Sequence, residues 1–307
     1  MKNGIFSAQE LIRFIRTMSN MTQADIAREI GADYKTVNRW INERRAPHPA
    51  YYEKLYSLFK ERVELTSVIE KIKKQFKNPI AAIHKDKEIY EDFLVQLTYN
   101  SNAIEGSTLT LKETEDIIIR NEVLKNKPQK EQQEAINHKT ALEHLFFVVK
   151  TNFNITGGYV FELHRMIMHG ILKDAGKIRK TNVVIRGLAK KLPDHASVSR
   201  LMNEFIRDCK KKVDNYPANI AILHHDFEHM HPFTDGNGRV GRLIVITQLL
   251  SKGCAPCVIQ NSHRREYYNA LQMADMRDYK YIVQFVCEGI LRGYGILQSN
   301  RLEHKKG

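Results

Sequence analysis

Apolar residues recur at helical spacing through most of the chain. Leu11, Ile12, Ile15 and Met18 set a 3.6-residue rhythm that predicts a helix over 6–18. Thr22 is placed to cap a second helix over 23–30, Gly31 to turn the chain, and Asp33 to cap a third over 34–42. Val37, Trp40 and Ile41 form its inward face, and Ala27, Gly31 and Val37 fall at the spacing of two closely crossing helices. Pro47 and Pro49 end that helix. Leu55, Leu58, Phe59, Val63, Leu65 and Ile69 then predict one long helix over 51–74. A basic run over 71–77 reads as a solvated linker. Further helices are expected over 90–100, 110–122, 131–150, 155–172, 197–212, 216–230, 243–250, 263–276 and 279–294. The helix at 197 would be capped by Ser197, with Met202, Phe205 and Ile206 inward. One stretch breaks the pattern. The β-branched residues of 177–186, followed by Gly187, predict a β-hairpin.

Composition narrows the class. The chain has 307 residues and a formal charge of +13, which permits an anionic partner. Residues 1–78 hold 15 basic and 9 acidic side chains, so charge density is higher at the N-terminus. Four cysteines (Cys209, Cys254, Cys257 and Cys287) do not make a disulfide framework. No apolar run reaches about 18 residues, and no leader pattern opens the chain. The expectation is a soluble, cytoplasmic protein with no membrane partner.

The chemistry concentrates in His231-Pro-Phe-Thr-Asp-Gly-Asn-Gly-Arg-Val-Gly-Arg242, between two apolar helical runs. Gly236, Gly238 and Gly241 allow a close approach of backbone to ligand. The amides that open the second helix make an anion site. Arg239 and Arg242 lie three apart on that helix and offer planar forks to phosphate oxygens. Asp235 supplies the hard oxygen that Mg2+ prefers beside a polyphosphate. His231 has a pKa suited to a general base near neutrality. Together they predict nucleotide binding with phosphoryl or nucleotidyl transfer.

These residues resemble the full signature of the Fic (Fic/Doc) family, H-P-F-x-D/E-G-N-G-R-x-x-R, with no departure. The resemblance implies a protein adenylyltransferase that moves AMP from ATP to a protein hydroxyl. His231 would deprotonate the target and Phe233 would anchor the loop. Asp235 would hold Mg2+. Asn237 and the glycine amides would hold the α- and β-phosphates, and Arg239 and Arg242 would reach the β- and γ-phosphates. Family members that phosphorylate instead carry Lys where this chain has Gly238. Ser101 to Gly106 (Ser-Asn-Ala-Ile-Glu-Gly) is similar to the family's inhibitory pattern. It implies that Glu105, disfavoured at a helix C-terminus, takes Arg242 away from the γ-phosphate. The segment 177–186 resembles the family's flap, so Val183, Val184, Ile185 and Arg186 would pin a target peptide by strand addition, with Arg179 structural. Tyr267 and Tyr268 match a Tyr pair near the adenine. Asp275 stands where the family has Asn, which leaves base or ribose contact there open.

Residues 23–40 resemble the helix-turn-helix of the Cro/repressor class. The resemblance implies duplex DNA as a partner, read by Tyr34, Lys35, Asn38 and Arg39, with Arg44 and Arg45 on phosphates. The expected architecture is mostly α. A helix-turn-helix domain (1–62) and a helical linker (63–92) precede an all-helical Fic core with one β-hairpin flap (93–296), and 297–307 is a tail. ATP and Mg2+ are the implied cofactors. A protein bearing a Ser, Thr or Tyr hydroxyl is the implied substrate, and the family resemblance implies a possible homodimer. Three other patterns carry less. His225 and His229 share a helix face, but Asp226 stands where a zinc protease needs Glu. Cys254-Ala-Pro-Cys257 lacks a second ligand pair. His164 and His169 read as packed or exposed. Two alternatives remain open: a DNA-binding regulator that only senses ATP, and removal of AMP from modified proteins by the same site.

Overall fold

The computed structural model describes residues 6–76, 78–183 and 191–303, the side chains of the last five excepted. Every regular element among the described residues is a helix, and none of the helices is long and apolar enough to cross a membrane. The chain divides into two compact units, residues 1–71 and 72–307.

The first unit holds α1 (Ala8–Ser19), α2 (Gln23–Ile30), α3 (Tyr34–Asn42), α4 (Pro49–Arg62) and most of α5 (Leu65–Lys73). Local chemistry sets the starts. Ser7 with Glu10, and Thr22 with Asp25, form capping boxes, and Asp33 accepts from Lys35 N. Gly31, at φ +67°, ends α2, and the Ala32 amide closes back on Ala27 O at 2.9 Å. Leu11, Ile15, Ile26, Val37, Leu55 and Phe59 are buried, and Phe6 packs edge-on against Phe14 and Phe59.

Two expectations fail here. Pro49 does not merely stop a helix: it occupies the first turn of α4, where its missing N–H costs nothing. The single helix expected over 51–74 is broken at Val63, which is extended. At 100° per residue, a continuous helix would point residues 63 and 65 to nearly opposite sides. The break lets both Val63 and Leu65 be buried.

The second unit contains α6 (Pro79–Lys85), α7 (Lys87–Ile104), α8 (Leu111–Ile118), α9 (Gln129–Val148), α10 (Gly157–Ile167), α11 (His195–Cys209), α12 (Tyr216–Met230), α13 (Asn237–Ser251), α14 (Arg264–Asp275) and α15 (Lys280–Glu303). Every residue of α13 from Arg239 to Ser251 is buried, so it is the central helix of the unit. α12 runs beside it and also packs on α15, while α7, α9 and α10 cover other sides.

The segment 63–92 is not a linker standing apart. Leu65, Val68 and Ile69 are buried residues of the first unit, and Phe76, Ile83 and Ile89 of the second. α7 is longer than expected because Asp86 caps it and it continues through the Ser101–Ile104 turn. α11 starts before Ser197, because Asp194 takes the cap by accepting from Ala196 N. The hairpin is not seen among the described residues, since 177–183 carries no strand. Val184, Ile185 and Arg186 lie outside the described residues. The expected helix from 155 stops at Ile167, and the chain leaves it in turns through 176.

Candidate active site

The site starts where α12 ends. His231 is the C-cap of that helix and adopts the left-handed conformation, φ 48°, an unfavourable setting for a residue with a Cβ. The strain is held by contacts on both sides. The His231 amide donates to Phe227 O at 3.0 Å. Arg179 Nε donates to His231 O at 2.8 Å, and the Arg179 amide to Pro232 O at 2.9 Å. The same guanidinium, 2% exposed, donates to Pro193 O and Thr181 O. A buried cation thus gathers carbonyls from three loop segments and fixes the backbone around His231.

The loop is also pinned from below. Phe233 is fully buried and lies parallel to the His164 ring, centroids 3.7 Å apart. His164 Nδ1 accepts from the Gly176 amide, so Nε2 carries the proton and donates to Asp235 O at 3.0 Å. Burial pushes the His164 pKa down to about 4 and keeps the ring neutral. Asn237 uses both side-chain polar atoms on Phe233, accepting from its amide and donating to its carbonyl. Its amide group braces the turn, and Asn237 also lines the cleft described next. Gly236 has φ +80°, and a Cβ there would lie 2.8 Å from Met168 Sδ.

Above this turn opens a cleft of about 890 Å3, within the usual range for ligand sites. Its lining includes His231, Asp235, Gly236, Asn237, Gly238 and Arg242, with Glu105 on one side and Tyr267, Tyr268 and Asp275 on another. His231 Nδ1 lies 3.2 Å from Glu228 O. A carbonyl only accepts, so Nδ1 carries the proton and Nε2 is the basic nitrogen. Burial lowers the His231 pKa, with the nearby Arg179 adding to that and the Glu228 carbonyl opposing it.

Arg242 is held by the end of α7. Its Nε donates to Ser101 Oγ at 2.9 Å, and one terminal nitrogen donates to Ser101 O at 2.8 Å and to Glu105 Oε1 at 2.7 Å. Ser101 and Glu105 are one helical turn apart, so both reach the same guanidinium. Gly238 sits directly under this pair, and a Cβ on it would overlap Glu105 Oε1.

The two arginines do not share a task. Arg239 is 3% exposed, pairs with Glu134 of α9 at 3.0 Å, and approaches Asp235 at 3.6 Å. It is not among the residues lining the cleft, and its partner there is the half-buried carboxylate of Glu134. Gly241 is also absent from the lining and instead makes room for Glu228 Oε1, which a Cβ would approach to 2.5 Å.

The expected base pocket is partly occupied by its own contacts. Tyr267 is buried and its hydroxyl lies 2.8 Å from His224 Nε2. Tyr268 is 37% exposed and faces the cleft, with Arg264 over its ring. Asp275 Oδ1 is 3.1 Å from His225 Nε2, within hydrogen-bond distance, and 3.5 Å from His229 Nδ1. Among the described residues no group of three or more His, Cys, Asp or Glu side chains is arranged to hold a metal ion. Tyr34, Lys35 and Arg39 are exposed on α3 of the first unit, and Asn38 is half-buried.

Sequence reasoning missed three residues. Glu228 faces the cleft, and burial pushes its carboxyl up to about 7, with Arg242 opposing and Glu105 adding. Its position three residues before His231 on α12 was the available signal. Glu134 and His164 left no such signal, since their roles come from helices distant in the chain.

The family model described as Fic/DOC matches residues 154–249, the stretch that holds the loop, its supports and the floor of the cleft. The chain carries a Fic/DOC family domain. Over a longer stretch, the chain is 32% identical over 208 residues to the protein adenylyltransferase Fic of Aedes aegypti, a match that covers 66% of this chain and 40% of that protein. It is 27% identical over 274 residues to the protein of the same name from Culex quinquefasciatus, covering 83% and 53%. The chain therefore spans between two fifths and about half of these curated relatives. The fold is shared with a Fic-domain-containing signalling protein from Bacteroides thetaiotaomicron (TM-score 0.67, 22% identity, 76% of this chain and 97% of that one). It is shared as well with a Fic-1 fragment from C. elegans (TM-score 0.67, 22% identity, 98% and 89%). The Fic/DOC domain thus lies within a longer helical framework, to which α7 and α14 contribute the remaining walls of the cleft.

Proposed function

We propose that this protein transfers AMP from ATP to a hydroxyl of a target protein, and that Glu105 restrains the reaction by holding Arg242. The observation that carries the reading is the placement of His231 and the glycine turn in one cleft with an arginine already bound to Ser101 and Glu105. The names of the relatives support the group transferred.

The chemistry follows from the geometry. His231 Nε2 accepts the proton of the target hydroxyl, whose oxygen attacks the α-phosphorus. A new P–O bond forms to the target, the α–β bridging P–O bond breaks, and pyrophosphate leaves. On this reading the amides at the start of α13 stabilise charge on the phosphates. Arg242 takes the terminal phosphate once Glu105 releases it. Asp235, half-exposed at the turn, suits Mg2+ that is held mainly by phosphate oxygens, and a bound ion would neutralise phosphate charge there. Labelling of lysate proteins from α-labelled but not γ-labelled ATP tests the reading. Equal labelling from both, or from γ-labelled ATP alone, would refute it.

A second activity belongs to the first unit. Tyr34, Lys35 and Arg39 stand exposed on α3, after the tight turn at Gly31. This supports duplex DNA binding through α3. Binding of mixed-sequence duplex that weakens steeply with salt, and weakens further in Lys35→Ala, is the expected result. ATP sensing without AMP transfer, and AMP removal with water positioned in place of the target hydroxyl, are the competing outcomes of the labelling experiment.

A further inference from the structure

Two carboxylates stand over one face of α13 beside Arg242. A Cβ on Gly238 would overlap Glu105 Oε1, and a Cβ on Gly241 would lie 2.5 Å from Glu228 Oε1. Positions 238, 241 and 242 share a helix face, so Glu105 from α7 and Glu228 from α12 approach the arginine over neighbouring turns. Both carboxylates and Arg242 belong to the wall of the cleft. Glu105 is hydrogen-bonded to the guanidinium, and Glu228 is not.

Release of Arg242 by Glu105 has a physical difficulty. The guanidinium is 6% exposed, and withdrawing one partner of a buried ion pair is costly unless another charge replaces it. Glu228 is placed to be that charge. Glu228 Oε1 and Arg242 Nη1 are both buried, and neither has a hydrogen-bond partner among the described residues. An unmatched acceptor and an unmatched donor thus lie over adjacent turns of one helix, which favours their meeting. Burial pushes the Glu228 carboxyl up to about 7, with Arg242 opposing and Glu105 adding. Around it stand Glu105 from α7, Arg242 from α13, Tyr267 from α14, and His224 and His225 from its own helix. Burial keeps His224 and Tyr267 neutral. Once Glu105 moves away, its repulsion is gone and Glu228 ionises beside the arginine.

We propose that Glu228 is a positioning residue for Arg242: when Glu105 withdraws, Glu228 becomes the counter-ion and holds the guanidinium at the cleft until a nucleotide phosphate displaces it. This rests on reading the cleft as a nucleotide site. The arriving phosphate brings negative charge and takes the arginine, so Glu228 recovers a proton from solvent.

The test is calorimetry of the full chain with the β,γ-imido analogue of ATP at pH 7, in two buffers of different ionisation enthalpy. In Glu105→Gly, binding is expected to take up a fraction of a proton, seen as a binding enthalpy that changes with buffer. This arm leaves Glu228 untouched. Glu105→Gly/Glu228→Gln is expected to lose the buffer dependence and to bind the analogue roughly threefold more tightly or better, since no carboxylate competes for Arg242. Glu105→Gly/Glu228→Asp, which keeps a carboxylate, is expected to regain part of the proton uptake. The proposal is overturned if the analogue binds Glu105→Gly with no proton uptake, or if the uptake survives in the Glu228→Gln variant. Weaker binding on adding Glu228→Gln overturns it equally. Failure of the analogue to bind at all would remove the nucleotide reading itself, and the proposal with it.

Discussion

Glu105 and Arg242 stand 137 positions apart in the chain and meet at 2.7 Å on the wall of the cleft. The guanidinium is 6% exposed and Glu105 about a third exposed, so the pair sits at the boundary between interior and solvent. Solvent reaches the carboxylate side of the pair and screens it there.

Removing the carboxylate is therefore expected to raise AMP transfer. Glu105→Gly should increase labelling from α-labelled ATP by roughly tenfold or more, a difference of about 1.4 kcal/mol. The partial exposure of Glu105 limits the stability cost to about 1 kcal/mol, readable as a small drop in melting temperature. Unchanged labelling in this variant would sink the inhibitory assignment.

Gly238 offers a second route to the same release. A methyl group at 238 overlaps Glu105 Oε1, and the flexible end of Glu105 is the atom able to move. Gly238→Ala is expected to raise activity, by less than Glu105→Gly. Combined with Glu105→Gly it should add nothing further, since both act on one contact. Additive effects in the double variant would show that the two residues act separately.

Arg179→Ala should impair the loop without touching a reacting group. The guanidinium is buried and bonds to His231 O, Thr181 O and Pro193 O. Its loss leaves those carbonyls to other partners, at a cost of about 2–4 kcal/mol in stability. Lysine cannot reproduce the fork, so Arg179→Lys should rescue little. Urea unfolding of both variants, alongside labelling, checks this.

Acid should weaken the fold before it reaches the usual carboxylate range. Burial holds the pKa of His138 and His224 at about 3 and of His164 at about 4, against about 6.5 in the unfolded chain. Folded values below unfolded ones mean that the stability is present above pH 6.5 and is lost as pH falls toward 4. Three protons give a slope of at most about 4 kcal/mol per pH unit. Glu228 works in the opposite sense: raised to about 7, it favours the fold at low pH and loses that contribution as pH rises through 7. His231, lowered as well, stays a free base below the ordinary histidine range. Activity should therefore hold on mild acidification, and His231→Ala should reduce it by roughly two to four orders of magnitude. Melting temperature and labelling followed from pH 7.5 to 4.5 measure both.

Much of this protein follows from short-range chemistry. The bounds of α2, α3 and α12 agree with their caps and turns, because Thr22, Asp33, Gly31 and the apolar period act within a few residues. The residues of the glycine turn share one cleft because they are neighbours in the chain. Other features depend on segments far apart. The break at Val63 arises because burying two side chains outweighed helix continuity. Arg239 pairs with Glu134 and Asn237 bonds to the backbone of Phe233, contacts set by which segments the fold brings beside the turn. The left-handed His231 is held by Arg179, His164 supports the loop through Phe233 and Asp235, and Asp275 meets His225. No local rule predicts these, since each is a choice among polar partners that packing brings together from distant parts of the chain.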